Sequence, residues 1–336
     1  MARTMRALVA ADYGPPETYV VTEVPVPRPG PGQLQVKVAA AALNAADIVL
    51  PGGDYRAMVE VDFPHVPGND FAGTVTEVGP DVSGYAPGDE VFGFALPRVL
   101  RPMAGAVRPS LGTGSLAEYV VVEADTPFVA HRPPALPVDQ AAALPIVGTT
   151  ARALIAAGAF RADETVLVVG ATGGVGTTVL PLLAAAGTRV IATATASDAT
   201  LVRQLGASEV IDYRTQDVPA QTLRQHPAGI DAVLNLYLPG TQLPALAPTL
   251  RPGGRLLTIT PPPPTPETLG RPDVTATLVL DMEAHYGGMP EVAADASAGP
   301  LKATITRRYA LTDAAQACVA FTREHTTGKI LVTMHS

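Results

Sequence analysis

Apolar and β-branched residues recur along this chain in two rhythms. Over the first third they alternate or run in short bursts, Met5 to Ala10, Gln33 to Ala40, Asp70 to Val78, Glu90 to Phe94 and Ala117 to Val122, separated by Pro and Gly turns. That spacing predicts the short strands of a compact, partly closed β-domain over residues 1–125. From about Val138 the texture changes to Ala-rich helical periodicity, Val138 to Leu144 and Thr149 to Ala157. Apolar runs then alternate with helical stretches through Ile259. The runs Thr165 to Val169, Thr188 to Thr193, Glu209 to Asp212, Asp231 to Leu236 and Arg255 to Ile259 predict strands joined by right-handed crossovers. The fold class is therefore α/β, with a doubly wound parallel sheet over residues 126–264. Four consecutive prolines, Pro261 to Pro264, can continue neither a ladder nor a helix and lead out of that sheet. The tail, residues 265–336, has strand-like pieces (Thr275 to Leu280, Lys302 to Tyr309, Lys329 to Thr333) and a helical one (Thr312 to Glu324). Its short strands match the first domain, and the tail is expected to return there.

The run Thr165-Val166-Leu167-Val168-Val169 passes directly into Gly170-Ala171-Thr172-Gly173-Gly174-Val175-Gly176 and then into an Ala- and Leu-rich helical stretch. Strand, glycine turn and helix start in that order form a phosphate-binding corner. A pyrophosphate needs backbone N–H groups aimed at it from a helix N-terminus, with little side chain in the way. Ala171, Gly173 and Gly176 are assigned that clearance. Pro181 falls inside the predicted helix, where it removes one backbone bond and is expected to kink it. At the end of the second strand an NAD site would carry a carboxylate for the ribose hydroxyls. Ala194 stands there instead, followed by Thr195, Ala196 and Ser197, whose two hydroxyls could bind a 2′-phosphate. Tyr213 and Arg214, after the next strand, could stack on and pair with it. These residues favour NADP; an exposed polar loop is the plainer reading.

Composition narrows the class. Hydrophobic residues make up 47% of the 336 positions and charged ones 16%, which describes a soluble globular protein with a large buried fraction. The formal net charge of −8 argues against nucleic acid and anionic membranes as partners and leaves a small-molecule substrate. The single Cys318, within a helical pattern, excludes an internal disulfide and any multi-cysteine metal site, and reads as a packing residue. The opening residues enter a strand pattern at once, without the charged-then-apolar profile of a secretory signal, so a cytoplasmic enzyme is expected. His65, His131, His226, His285, His325 and His335 are scattered without metal-ligand spacing.

Motifs along nearly the full length resemble those of the medium-chain dehydrogenase/reductase superfamily, and within it the zinc-free quinone oxidoreductase branch. They include Met5-Arg6-Ala7-Leu8 with Gly14 and Pro15, Ala42-Leu43-Asn44-Ala45-Ala46-Asp47, and Pro67-Gly68-Asn69-Asp70-Phe71-Ala72-Gly73. Pro87-Gly88-Asp89, the Ala171-x-Gly173-x-x-Gly176 turn, Leu205-Gly206-Ala207, Pro252-Gly253-Gly254-Arg255 and Gly328-Lys329-Ile330-Leu331-Val332 follow in the family's order. The resemblance implies a GroES-like catalytic domain, a Rossmann domain and a homodimer paired through an edge strand at Thr275 to Met282. It places Asn44 and Gly68-Asn69-Asp70 where zinc-dependent members hold a catalytic metal, and these residue types do not suit zinc.

Without a Lewis acid, the electrophiles that accept hydride readily are quinones and α,β-unsaturated carbonyls. The resemblance therefore implies an NADPH-dependent reductase of one of these. It assigns Asn44, Tyr55 and Thr150 as donors to the oxygen on which charge develops, with Tyr55 foremost, and Asn235 and Thr260 to the nicotinamide half of the cofactor. Each has a plainer alternative: Asn44 a turn cap, Tyr55 a surface aromatic, Thr150 a helix N-cap, Asn235 and Thr260 ordinary strand-end turns. Two departures stand out. Residues Ala95 to Thr113 form an insertion with Arg98, Arg101 and Arg108, read as a loop selecting an anionic or bulky substrate or as a plain surface insertion. Asp198 and Thr200 stand where many NADPH-using relatives carry a lysine, which counts against NADP. An enoyl reductase of a polyketide-type intermediate and a non-catalytic NADPH-binding sensor or scaffold are the alternative functions.

Overall fold

Short, largely buried strands separated by turns give this chain an antiparallel-rich sheet and a two-stranded ribbon, and apolar runs alternating with helices give it a parallel sheet. The computed structural model describes residues 3–334. Its chain divides into two compact units, residues 1–149 with 282–336, and residues 150–281.

In the first unit Gln33–Ala42 is the central strand. Asp70–Val78 pairs along one edge of it, while Tyr119–Glu123 and Lys329–Thr333 share the other, and all three are antiparallel to it. Glu90–Phe94 and Val129–His131 extend the sheet beyond Asp70–Val78. Ile305–Ala310 runs parallel to Lys329–Thr333, and Thr4–Val9 pairs with Val20–Pro25 as a separate ribbon. Leu34, Val36, Phe71, Val91, Leu116, Val120 and Ile330 build the core, closed by Ala314, Ala317 and Cys318 of the helix Ala314–Arg323. Burial pushes the Cys318 thiol up to about 12, as befits a packing residue.

The second unit is a six-stranded parallel sheet. Its order across the sheet is Glu209–Asp212, Arg189–Ala194, Thr165–Val169, Ile230–Asn235, Leu250–Thr258, Thr275–Leu278. In chain order this is strands three, two, one, four, five, six, the doubly wound arrangement with its switch point between the first and fourth strands. The continuous apolar runs follow from burial on both faces. Val166 and Val168 pack with Val179, Leu180 and Leu183 of the helix Gly174–Ala185 on one side. Leu167 and Val169 pack with Leu243, Leu246 and Ala247 on the other.

Several boundaries differ from the sequence reading. The first unit extends to Thr149 rather than 125, because the helix Val138–Ala143 packs on the strands Asp70–Val78 and Gln33–Ala42. The second extends to Asp281 rather than 264, because Thr275–Leu278 adds a strand to its sheet. The tail joins the first unit only from Met282. The helix Gly174–Ala185 runs unbroken through Pro181. Thr150 does not start a helix but lies inside Pro145–Gly158, so it is not an N-cap. The helices Ala46–Gly52, Val218–Gln225 and Met289–Ala298 escaped the periodicity reading, being short or interrupted by proline and glycine.

Candidate active site

In the second unit the glycine turn sits at the switch point of the sheet. Gly170 has φ +83° and its N–H donates to Thr193 Oγ1 at 3.1 Å; a Cβ there would lie 3.0 Å from Cβ of Tyr237. The turn is thus built on a residue that must be glycine and on a threonine that sequence reading passed over. The other two positions assigned to clearance are different in kind. A Cβ on Gly176 would stand 2.3 Å from the Gly170 carbonyl oxygen and 2.5 Å from Ala171 carbonyl atoms, and Ala171 is itself fully buried. Both serve the packing of helix against turn. Only Gly173 faces open space, its would-be Cβ meeting nothing nearer than Gly170 O at 3.5 Å. Gly173 is also the N-cap of Gly174–Ala185 and brings no side-chain cap, and the first backbone bond of that helix runs from Thr177 N to Gly173 O. The N–H groups of Gly174, Val175 and Gly176 therefore have no intrahelical acceptor, with Thr172 beside them, nearly buried. Such an end attracts an anion.

Strand register gathers the remaining cofactor candidates into two groups. Ala194 is paired with Asp212, so Thr195 and Ser197 leave the sheet beside Tyr213 and Arg214. Tyr213 is 43% exposed, and Arg214 is exposed and forms no ion pair among the described residues. The hydroxyls are already engaged: Thr195 Oγ1 lies 2.8 Å from Ser197 Oγ and donates to Asp198 Oδ2 at 2.7 Å. A carboxylate thus stands among these hydroxyls. Asn235 and Thr260 are brought together, but toward each other. The buried Asn235 Nδ2 has three acceptors within hydrogen-bond distance for its two hydrogens, Leu238 O (2.7 Å), Thr258 Oγ1 (2.8 Å) and Thr260 Oγ1 (2.9 Å), and Thr260 Oγ1 donates to Leu238 O at 2.6 Å. Their side chains brace the strand ends, as buried polar groups satisfy one another first.

In the first unit the candidate Asn44 belongs to a buried charged cluster. Lys329 Nζ donates to Asn44 Oδ1 (2.6 Å), Leu43 O (2.8 Å) and Asp70 Oδ2 (3.1 Å). Asp70 Oδ2 also accepts from Asn44 Nδ2 at 2.9 Å, and Asp70 Oδ1 accepts from the backbone N–H of Ile146 at 3.1 Å. Asp70 is wholly buried and Lys329 3% exposed. Burial pushes the Asp70 carboxyl above the usual carboxylate range, opposed by the Lys329 ammonium and the Asn44 amide. Next to them Asp47 accepts from Asn44 N at 2.8 Å, and burial raises its carboxyl to about 7. Asp47 Oδ1 and Asn69 Nδ2 are buried without a hydrogen-bond partner among the described residues. The second hydrogen of Asn44 Nδ2 goes to Ala42 O at 3.3 Å, so both its donors are engaged within the first unit. Tyr55 follows the helix Ala46–Gly52, beyond the left-handed Gly53, and is half-buried; neither its hydroxyl nor that of Thr150 is hydrogen-bonded within the described residues. Asp70 and Lys329 both fall within the family motifs, Asp70 at the place of a zinc ligand, but nothing in the sequence pattern pairs them. The hint was a lysine inside an otherwise apolar C-terminal strand.

Two family models match the chain, an alcohol dehydrogenase GroES-like domain over residues 30–133 and a zinc-binding dehydrogenase over residues 205–332. The chain is 33% identical over 327 residues to the chloroplastic quinone-oxidoreductase QR1 of Triphysaria versicolor, covering 92% of each. It is 38% identical over 224 residues, 65% of this chain and 9% of the other, to the spectinabilin polyketide synthase system protein NorB of Streptomyces orinoci. Its fold matches that of the quinone oxidoreductase from Coxiella burnetii with a TM-score of 0.81 over 99% of this chain and 100% of the other, at 24% identity. The zinc named in the second model does not fit the residues found here. The Asn44 and Asp70 oxygens are occupied by the Lys329 ammonium, which would repel a metal cation. Among the described residues no group of three or more His, Cys, Asp or Glu side chains is placed to hold a metal. Nor is any helix among them long and apolar enough to cross a membrane.

Two outcomes follow from this geometry. Lys329→Met leaves the Asp70 charge buried without its partner and lowers unfolding stability by about 3–5 kcal/mol, and adding Asp70→Leu recovers part of that loss. Denaturant unfolding of both variants checks it, and equal losses would show that the pair is not the source. Gly176→Val forces its side chain onto the turn backbone and lowers Tm, whereas Gly173→Val, in open space, leaves Tm unchanged; thermal melts separate the two.

Proposed function

The chain belongs to the medium-chain dehydrogenase/reductase superfamily, in its quinone oxidoreductase-like branch, and from that premise we propose that it is an NADPH-dependent, metal-independent reductase of quinones or activated α,β-unsaturated carbonyls. The observation that carries this is the uncapped N-terminus of Gly174–Ala185 at the switch point of the sheet, with Gly173 open in front of it. The backbone N–H groups of Gly174, Val175 and Gly176 hold the pyrophosphate. Arg214 and Tyr213 take the 2′-phosphate, and Asp198 limits how strongly that phosphate is preferred. When bound, the nicotinamide supplies the hydride. The chain's own contribution at the substrate is a hydroxyl donor for the oxygen that gains charge. Tyr55 fills that role, since its phenol is not used within the structure, with Thr150 as a second hydroxyl. Asn44 orders the first-unit loop through Lys329 and Asp70 and supports the donors from there.

The resemblance to a polyketide synthase component favours a second reading, in which the enone is an acyl thioester. The same site serves both readings, because conjugation to a carbonyl is what makes either carbon accept hydride. We further propose a homodimer formed through Thr275–Leu278. This strand is the last of its sheet and pairs only on the side of Leu250–Thr258 among the described residues.

Calorimetric titration is expected to give NADPH binding tighter than NADH. Gly173→Val abolishes both at unchanged Tm, and Asp198→Asn tightens NADPH by about tenfold while leaving NADH nearly unaffected. Binding of neither nucleotide overturns the reductase reading. On a quinone or enone panel, Tyr55→Phe lowers kcat by about 10²-fold with NADPH affinity unchanged; an unaltered kcat removes Tyr55 from the reaction. Sedimentation at micromolar concentration returns the mass of two chains, and a single-chain mass overturns the dimer.

A further inference from the structure

The insertion after Phe94 concentrates positive charge in an acidic protein. Residues 95–113 contain Arg98, Arg101 and Arg108 and no Asp or Glu, in a chain of formal net charge −8. The segment leaves the sheet beside the buried cluster, since Phe94 is paired with Asp70 and the N–H of Ala95 donates to Asn69 O at 3.1 Å. Its base is anchored: Leu96–Pro97 runs parallel to Leu111–Gly112, the Ser110 hydroxyl donates to Phe94 O at 2.5 Å, and Ala104 is buried. Between these anchors Arg98–Met103 forms a 3-10 stretch. Side chains three apart eclipse in that helix, so Arg98 and Arg101 rise from one side.

Both arginines are exposed and neither has a carboxylate partner among the described residues. Arg108 reaches only the exposed Asp125, at 3.5 Å. Beside Arg101 lies a cavity of about 610 Å³ walled by Pro102, Met103, Pro109 and Met282, with Met103 52% exposed. Gly105 closes the cavity against Met282, having φ +92°, and a Cβ there would lie 2.7 Å from Met282 O. Arg101 borders the cavity and Arg98 precedes it by one 3-10 turn, so two guanidinium groups without carboxylate partners among the described residues flank an uncovered apolar wall, a combination that suits an anion on an apolar body.

We propose that this insertion is a recognition site for the phosphate-bearing arm of an acyl thioester, so that the enone reduced by this protein arrives on a charged carrier arm. The inference rests on the reductase reading and narrows its substrate class. Arg98 and Arg101 grip the phosphate, and the Pro102, Met103, Pro109 and Met282 wall takes the apolar part of the arm.

The test pairs binding with kinetics on the full chain. Coenzyme A, which carries the phosphates and no reducible group, is titrated into wild-type protein and into Arg98→Ala/Arg101→Ala. The double variant is expected to bind about tenfold more weakly, with a loss that shrinks at high salt, as for exposed charge pairs. Arg98→Lys/Arg101→Lys recovers part of it. In turnover assays the double variant raises KM for crotonyl-coenzyme A about tenfold at unchanged kcat. It leaves the neutral S-crotonyl-N-acetylcysteamine unaffected. Both arginines are exposed, so an unchanged melting temperature checks the fold. Coenzyme A binding that is absent or indifferent to the arginines, or equal KM shifts on both thioesters, overturns the site. Arginine-dependent binding without reduction of any acceptor overturns the reductase reading and leaves the site standing.

Discussion

A carboxylate with no access to water has to be met by groups that the chain itself brings to it, and the first unit is arranged around that demand. Asp70 is wholly buried, and Lys329 reaches it from 259 residues further along the chain. The last strand must therefore return to the first unit for the cluster to close, which is why that unit is discontinuous in sequence. The same carboxylate holds the Asn44 amide on one oxygen and the first turn of Pro145–Gly158 on the other. One ion pair thus fixes the strand that starts at Asp70, the C-terminal strand, the loop into Ala46–Gly52 and the start of a helix. An isolated buried charge costs several kcal/mol, so these four elements are placed together or not at all.

The second unit is fixed by backbone geometry. Gly170 takes a left-handed conformation, Thr193 accepts its N–H, and Gly176 lets the helix close onto the turn with no room for a side chain. The result is a helix end whose first N–H groups have no intrahelical acceptor, opening past Gly173. Such an end favours an anion. Asn235 and Thr260 provide the contrast. They sit at the ends of neighbouring parallel strands, where ligands commonly bind, yet they hydrogen-bond to each other and to Leu238. Position at a switch point does not make a side chain available; an unspent donor does.

The first unit spends its buried charges on its own polar groups. Lys329 brings a positive charge into the first unit where zinc-using members bring a metal, and it is spent on holding Asn44 and Asp70. The Tyr55 and Thr150 hydroxyls, by contrast, have no hydrogen-bond partner among the described residues.

Much of this was legible in the chain, because apolar periodicity and glycine spacing are local properties. The five-residue run before Gly170, the alternation of strands and helices, the turn at Gly173 and the return of the tail all follow from neighbours within a few positions. What the linear pattern did not contain was which polar group would meet which. Lys329 reads as one lysine in an apolar strand, and Asp70 as the start of another. Only the pairing of Lys329–Thr333 with Gln33–Ala42 brings them within 3.1 Å. In the same way Thr195 and Ser197 are free hydroxyls on paper, until Asp198 takes one of them in the fold. Three glycine-turn residues looked equivalent by spacing, yet Gly176 and Ala171 proved to be packing and Gly173 clearance. Burial forces polar side chains to pair with whatever the tertiary structure sets beside them. The sequence therefore determined the elements and the glycine turn between strand and helix, and the tertiary structure decided which polar side chains were engaged and which were left without partners.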